Sequence, residues 1–331
     1  MRLLVTGGAG YIGSHCVTEL LKAQHEVTVV DNLSTGFKKA LETPINQGVT
    51  FIQEDIRHIE TIKEILRNKK IEGIVHFAAK LIVPESVSHP LDYYDNNVLG
   101  SLRLIQACQQ TGVSFFVFSS TAAVYGEGTG CALQETDLTR PINPYGASKK
   151  MVEQILSDQS FADPNFKFIA LRYFNVAGAS IEGNNGQRTK GATHLIKVAC
   201  EVATGQRDSI QIFGTDWLTP DKTCVRDYVH VQDLADAHVV ALSALKKGHV
   251  GGIYNCGYGR GASVREVISM VEKVSGKKIK TIETARRPGD PELLVSDPRR
   301  LKTELLWAPK NDSLEIICKT AYEWELKNSN K

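Results

Sequence analysis

The chain has 331 residues, 42% of them hydrophobic and 23% charged, an ordinary globular composition long enough for one large domain or two that share an interface. Thirty-nine basic and 37 acidic residues leave a net charge of +2, so nothing attracts nucleic acid or an anionic membrane in bulk, and affinity for a phosphorylated ligand must come from a local site. The seven cysteines are dispersed with no CxxC, the first apolar run breaks into glycines too early for a signal peptide, and no stretch approaches the roughly 20 apolar residues of a membrane span.

These features imply a cytoplasmic protein without disulfides. The histidines show no HExxH or comparable spacing, so no metal site is expected.

In chain order, short apolar runs at residues 3–6, 27–30, 50–53, 73–77 and 115–119 read as strands. Helical patterns at 11–23, 59–67 and 97–110 lie between them. Strands alternating with helices predict an α/β fold with a parallel, doubly wound sheet. Residues 168–173 read as a sixth strand and 228–231 as a candidate seventh. From about residue 175 the rhythm changes to Gly/Asn-rich loops with short helices, a smaller and discontinuous part that returns to the first around 226–245.

The first strand runs into Gly7-Gly8-Ala9-Gly10-Tyr11-Ile12-Gly13, which opens the first helix. Gly7, Gly10 and Gly13 let the backbone turn tightly and approach a pyrophosphate, with the helix N-terminus facing it. Asp31 closes the second strand, where a carboxylate can accept hydrogen bonds from both hydroxyls of an adenosine ribose. It would repel a 2′-phosphate, so NAD rather than NADP is the expected cofactor. The plainer alternatives are a glycine-rich turn without a ligand and a turn-forming Asp before Asn32.

Asn143 is a good N-cap and Pro144 suits the first helical position, which puts Tyr145 and Lys149 four apart on one helix face. A cation close to a phenol favours the phenolate, and such a tyrosine can take a proton from a sugar hydroxyl and return it. Ser119-Ser120-Thr121 ends the fifth strand, where ligands sit in doubly wound sheets, so Thr121 could hydrogen-bond the reacting oxygen. Taken singly, the Tyr/Lys pair is an ordinary surface pair and Thr121 a turn residue.

Together these motifs resemble a known family. TGGAGYIGS, the SST and YG of the fifth strand end, and YxxxK are similar to the extended short-chain dehydrogenase/reductase family. HFAA, ESV, PLDYYDNN, LRYFN, FGTDWLTPDKTCVRDYVHVQDLADAH and RRPGD resemble its UDP-glucose 4-epimerase branch, over nearly the whole chain. The resemblance implies a Rossmann-type NAD-binding part at 1–175 plus about 220–250, and a nucleotide-sugar part at about 176–219 plus 251–331. It puts Tyr11 and Ile12 at the pyrophosphate, and Asp31, Asn32, Leu33, Ser34, Thr35 and Gly36 at the adenosine ribose. Asp55 and Ile56 fall by the adenine, with Phe77, Ala78, Ala79, Lys80 and Asn96 along the dinucleotide and Phe174 near the nicotinamide. Thr121, Tyr145 and Lys149 form the catalytic set and also touch cofactor, and the first two touch the sugar. Asn175, His194, Leu195, Gln211, Phe213, Arg226, Arg287 and Asp290 match nucleotide-sugar positions. Two arginines suit a diphosphate, since a guanidinium pairs with phosphate oxygens in bidentate fashion; the plainer reading of each is a surface ion pair. Leu294, four residues after Asp290, falls beside the C2 substituent of the sugar, or else is a core residue turned away from it.

The implied reaction is reversible epimerisation at C4 of UDP-glucose and UDP-galactose, through a transient 4-keto sugar and bound NADH. Relatives form dimers through the helices that follow Asn97 and Tyr145, so a homodimer is expected. Four positions depart from the family pattern: Thr121 stands where many relatives have serine, Lys80 comes one position early, Val176 follows Asn175 in place of proline, and Thr193-His194 replace an asparagine pair. Two rival functions share the fold. A nucleotide-sugar 4,6-dehydratase needs an acid just after Thr121, where this chain has Ala122-Ala123, and a non-catalytic NAD-binding regulator typically loses the Tyr/Lys pair that is kept here.

Overall fold

In the computed structural model, residues 1–128, 130–189, 191–287 and 290–329 are described; Pro288 and Gly289 of the RRPGD motif lie outside the described residues. Runs rich in β-branched and aromatic residues form β1 (Arg2–Thr6), β2 (Glu26–Val30), β3 (Thr50–Ile52), β4 (Gly73–His76), β5 (Phe115–Thr121) and β6 (Lys167–Tyr173). β7 (Asn175–Ala177), β8 (Ile210–Phe213) and β9 (Val225–His230) follow, then β10 (Gly252–Cys256), β11 (Gly261–Ser263), β12 (Thr281–Thr284) and β13 (Leu293–Leu294).

Seven strands form one sheet in the order β10-β6-β5-β4-β1-β2-β3, every neighbouring pair parallel. Because side chains alternate across a strand, each strand feeds two cores. Leu3, Val5, Val75 and Val117 pack on one face with the helix Tyr11–Lys22. Leu4, Ile74, Phe116 and Phe118 pack on the other with the helices Ile59–Asn68, Gly100–Thr111 and Pro144–Ala162. The order reverses between β1 and β4, the switch point at which a doubly wound sheet leaves a crevice at its carboxyl edge.

The seventh strand is a correction. It is β10, which pairs with β6 from Gly252–Ile169 to Cys256–Tyr173 and so draws residues past 250 into the parallel sheet. The expected candidate, 228–231, is largely a strand but belongs elsewhere: β9 sits in a second sheet between β11 and β13 and also pairs β7. Two short apolar runs of equal quality carry no information about their partners. β8 and β12 make a separate two-stranded ribbon. The expected helix at 97–110 also starts earlier, from Pro90, and passes through a π-helical stretch at Tyr94–Leu99 before Gly100–Thr111. Among the described residues no helix is long and apolar enough to cross a membrane.

Candidate active site

The carboxyl ends of the parallel strands gather the first set of expected residues. β1 leads into Gly7, whose φ of 72° and close approach to the next loop both demand glycine; a Cβ there would stand 2.5 Å from the backbone nitrogen of Ala78. Gly10 caps the helix that contains Ile12 and Gly13, and the Tyr11 hydroxyl donates to the Gly178 carbonyl at 2.6 Å. No side chain covers this helix N-terminus, which leaves its N–H groups for an anion.

Asp31 is buried at the end of β2. Its carboxylate accepts from the Ala9 N–H at 2.9 Å and the Leu33 N–H at 2.8 Å, while burial holds its pKa above the usual carboxylate value. An ionised carboxylate has about four acceptor sites. Two remain for a pair of ribose hydroxyls, and the glycine turn beside it is kept open. These residues fit an NAD adenosine. The turn Asn32, Leu33, Ser34, Thr35 and Gly36 wraps this carboxylate, and Asn32 donates to Asp55 at 3.0 Å, linking the β2 and β3 ends. Asp55 is held well below the usual carboxylate range by Arg57, which donates to it at 2.8 and 2.9 Å; Ile56 beside it is buried.

Phe77 follows β4 and packs at 4.7 Å on the His238 ring. The next residues, Ala78, Ala79 and Lys80, form a half-buried loop fixed by a side chain outside the expected set. Asn97 accepts from the Lys80 N–H at 2.8 Å and donates to the Lys80 carbonyl at 3.0 Å and to Ser148 at 3.0 Å. Its neighbour Asn96 donates to it at 3.0 Å. Asn97 thus joins the β4 loop to the helix of Tyr145. The ammonium of Lys80 turns outward to Glu85 and Asp92, 3.6 and 3.5 Å away.

That helix starts as expected: the Asn143 side chain accepts from the Gly146 N–H at 2.8 Å and Pro144 takes the first position. Gly146 lets the helix close on the turn after β5, since a Cβ would lie 2.6 Å from the Ala123 carbonyl. Tyr145 is therefore brought against Thr121, whose hydroxyl also accepts from the Ala123 N–H at 3.1 Å. Burial raises the Tyr145 phenol, and hydrogen bonding from Thr121 works against that rise. Lys149 is buried. Its ammonium donates to the Ser119 carbonyl at 2.7 Å and lies 4.8 Å over the Phe118 ring; burial pulls its pKa down to about 7, partly opposed by Glu153. The hydrogen bond of Lys149 thus goes to the strand end.

The second set gathers on the smaller sheets. Arg226, on β9, donates to the Val225 carbonyl at 2.9 Å and faces Asp290 at 3.9 Å. Arg287 donates to the same Asp290 at 2.9 Å and stacks 4.4 Å over Phe213. Phe213 and Gln211 share one face of β8. Leu294 pairs with Arg226 in the β13–β9 ladder, and its side chain packs on the cluster of Phe174, Val124 and Tyr125. Leu294 therefore connects the arginine cluster to the carboxyl end of β6. Asn175 opens β7 beside Phe174. His194 turns to Gln187, 2.9 Å away, and Leu195 opens the helix Leu195–Ala203 against the main core.

Two further residues went unread in the sequence. Glu153 and Arg172 form a buried ion pair at 2.8 Å beneath the Tyr145 helix. A charge inside FIALRYF needs a buried partner, and Glu153 lies one turn beyond Lys149; those were the available signals. Among the described residues no group of three or more His, Cys, Asp or Glu is placed to hold a metal ion. A cavity of about 1060 Å³ lined by His15, Lys39, Asn185, Arg188 and Trp324 contains none of the site residues, so the site is located by its chemistry and not by concavity.

A crevice at the switch point, a glycine loop, a buried carboxylate with acceptor sites to spare and a Tyr/Lys helix define a dinucleotide-dependent enzyme class. Residues 3–257 match the model of the NAD dependent epimerase/dehydratase family, and the chain belongs to that family. It is 49% identical over 324 residues to a UDP-glucose 4-epimerase of Azospirillum brasilense, covering 98% of this chain and 92% of the relative. The solved structure of UDP-glucose 4-epimerase from Bifidobacterium longum in complex with NAD+ and UDP has a TM-score of 0.93 at 35% identity, covering 100% of this chain and 99% of that one. The UDP-Glc/GlcNAc 4-epimerase of Campylobacter jejuni has a TM-score of 0.87 at 48% identity, covering 98% and 99%.

Proposed function

We propose that this protein is an NAD-dependent isomerase that inverts C4 of UDP-hexoses, interconverting UDP-glucose and UDP-galactose. The observation that carries the reading is the meeting of Thr121, Tyr145 and Lys149 at the end of β5, with Ala122-Ala123 where a dehydratase would need an acid. NAD, when bound, supplies the two-electron oxidation at C4 and its reversal. Gly7, Gly10, Tyr11, Ile12 and Gly13 would hold its pyrophosphate, Asp31 and the turn to Gly36 its adenosine ribose, and Asp55 and Ile56 its adenine. Phe77 to Lys80, Asn96 and Phe174 would flank the rest.

Tyr145, as the phenolate, takes the proton of the 4-hydroxyl and, now a phenol, gives it back after the 4-keto sugar has turned over in the pocket. Thr121 hydrogen-bonds the same oxygen and holds it in line. Lys149 contributes positive charge where the phenolate forms. Arg226 and Arg287 hold the diphosphate, releasing Asp290 from their present pairing for a ribose hydroxyl; Gln211, Phe213, Asn175, His194 and Leu195 complete the nucleotide-sugar side. Positioning and proton control are the protein's share of the catalysis.

The division into a NAD-binding part and a nucleotide-sugar part follows these two sets of residues, with β10 assigned to the former. A cytoplasmic homodimer belongs to the same reading: Leu91, Leu99 and Met151 leave apolar side chains exposed on the helical elements expected to meet a second copy. Light scattering after size exclusion measures that mass. Incubating the protein with UDP-galactose and finding UDP-glucose, with no net NAD consumed, tests the function. A 4-keto-6-deoxy product would point to the dehydratase, and no product to the regulator.

A second reading extends the substrate range to UDP-N-acetylhexosamines. The observation that favours it is Leu294 at the sugar end of the Arg226 ladder, together with 48% identity to a UDP-Glc/GlcNAc 4-epimerase.

A further inference from the structure

Three consecutive residues at the end of β5 each hold a residue of the Pro144–Ala162 helix, and the residues held are four apart. Thr121 meets Tyr145, the Ser119 carbonyl accepts from Lys149 at 2.7 Å, and the Ser120 hydroxyl donates to Glu153. Glu153 is nine-tenths buried and more, and Arg172 on β6 donates to both of its oxygens, at 3.0 and 2.8 Å. Arg172 in turn donates to the Tyr125 hydroxyl at 2.8 Å, and Tyr125 to Asn255 on β10 at 2.7 Å. The carboxylate therefore cannot swing away. It is fixed one helical turn from Lys149, the spacing at which helix neighbours face each other.

A buried ion pair of this kind adds little stability for the desolvation it costs, so its presence invites a functional account. The mechanism above uses Tyr145 and Lys149 and leaves Glu153 unused. We propose that Glu153 is a positioning residue for the reaction: held by Ser120 and Arg172, its carboxylate favours the protonated form of Lys149 while Tyr145 exchanges its proton. This rests on the proposed roles of Tyr145 and Lys149.

The surroundings of Lys149 leave Glu153 as the group able to do this. Of the charged and titratable groups around it, Glu153 lies one turn on along its own helix, His76 comes from β4, and Arg172 of β6 is bound to Glu153. His76, bonded to Thr6 and Ser101, is pulled down to about 3 by burial and is neutral at working pH. Burial pushes Tyr173 well up, so its phenol is neutral, and it also raises Tyr145 against the hydrogen bond from Thr121. The charges left are Glu153, which favours the Lys149 cation, and Arg172, which is paired with Glu153.

The test is the alkaline limb of the kcat/KM profile with UDP-galactose, read beside the titration of Lys149 itself by NMR of the 15N-labelled ammonium. Glu153→Gln keeps a hydrogen-bonding side chain but removes the charge; both the limb and the Lys149 titration should move down by about one pH unit or more. Arg172→Gln, which leaves the carboxylate unopposed, should move both up. Glu153→Asp, which retains the charge, should restore them toward wild type and serves if Glu153→Gln does not fold. A Lys149 titration that coincides with wild type in Glu153→Gln, or moves the same way in both charge-removing variants, overturns the proposal. Wild-type protein that does not turn over UDP-galactose, with Lys149 shifting as expected in the variants, would instead count against the proposed function, because the NMR readout does not depend on turnover.

Discussion

The ammonium of Lys149 is bonded to the carbonyl of Ser119, 2.7 Å away, and not to the phenol of Tyr145 on the same helix face. This separates two jobs that the YxxxK spacing alone merges. Lys149 anchors the helix to the end of β5, and in the proposed mechanism it supplies charge while Tyr145 with Thr121 handles the proton. Tyr145→Phe should therefore keep the fold and its bound nucleotide while losing about 10²–10⁴-fold in kcat, the usual worth of a general acid–base group. A kcat within a few-fold of wild type would remove Tyr145 from the mechanism.

The same lysine has a signature in stability. Its pKa is pulled from 10.5 down to about 7 in the fold, so between those values the unfolded chain holds a proton that the folded chain has released. Stability contributed by such a group is lost as pH falls through about 7 and is fully regained above the unfolded value. Lys149→Met removes that dependence. Its melting temperature relative to wild type, measured from about pH 6 to about pH 10 at matched nucleotide content, should be highest at the acid end and fall steadily toward the alkaline end. A flat difference would mean that Lys149 keeps its ordinary pKa.

Asp31 and Gly7 set the cofactor predictions. A cycle that restores its cofactor has no need to release it, so denaturing the purified protein should liberate NAD(H); NADP as the main species would contradict the placement of Asp31. Gly7→Ala forces a Cβ to within 2.5 Å of the Ala78 nitrogen at a φ of 72°. It should cost about 1–3 kcal/mol of stability and strip the nucleotide, as chemical denaturation and absorbance of the purified variant would report.

The residues that were legible in sequence are those whose chemistry is local. Asn143, Pro144, Tyr145 and Lys149 lie within one helix start, and the glycine loop within one strand–helix turn, so spacing alone defines their geometry. What sequence could not give was pairing. β10 and β9 are both short apolar runs, and only the fold decides that β10 extends the parallel sheet while β9 carries Arg226 into the second. Asn97 was hidden for a related reason: three of its bonds reach residues 17 and 51 positions away, from a π-helical stretch that no periodicity announces. Glu153 and Arg172 each looked like ordinary charges until the fold buried them together.

Leu294 carries the prediction on substrate range. It stands opposite Arg226 in the β13–β9 ladder, so the backbone that bears it is fixed to the strand proposed to hold the diphosphate. Its side chain packs on the cluster that contains Phe174, Val124 and Tyr125 and is only partly buried. Leucine is shorter than tyrosine and has no hydroxyl to place, so room for an N-acetyl group at C2 depends on its bulk. UDP-N-acetylglucosamine should be turned over measurably, though less well than UDP-glucose. Leu294→Tyr should suppress the N-acetylated substrate selectively, because overpacking a filled site costs about 1–3 kcal/mol, or roughly 5- to 150-fold. The measurement is kcat/KM for both substrates in wild type and variant. A ratio that does not change would mean that Leu294 serves only the hydrophobic cluster around Phe174 and does not touch the sugar.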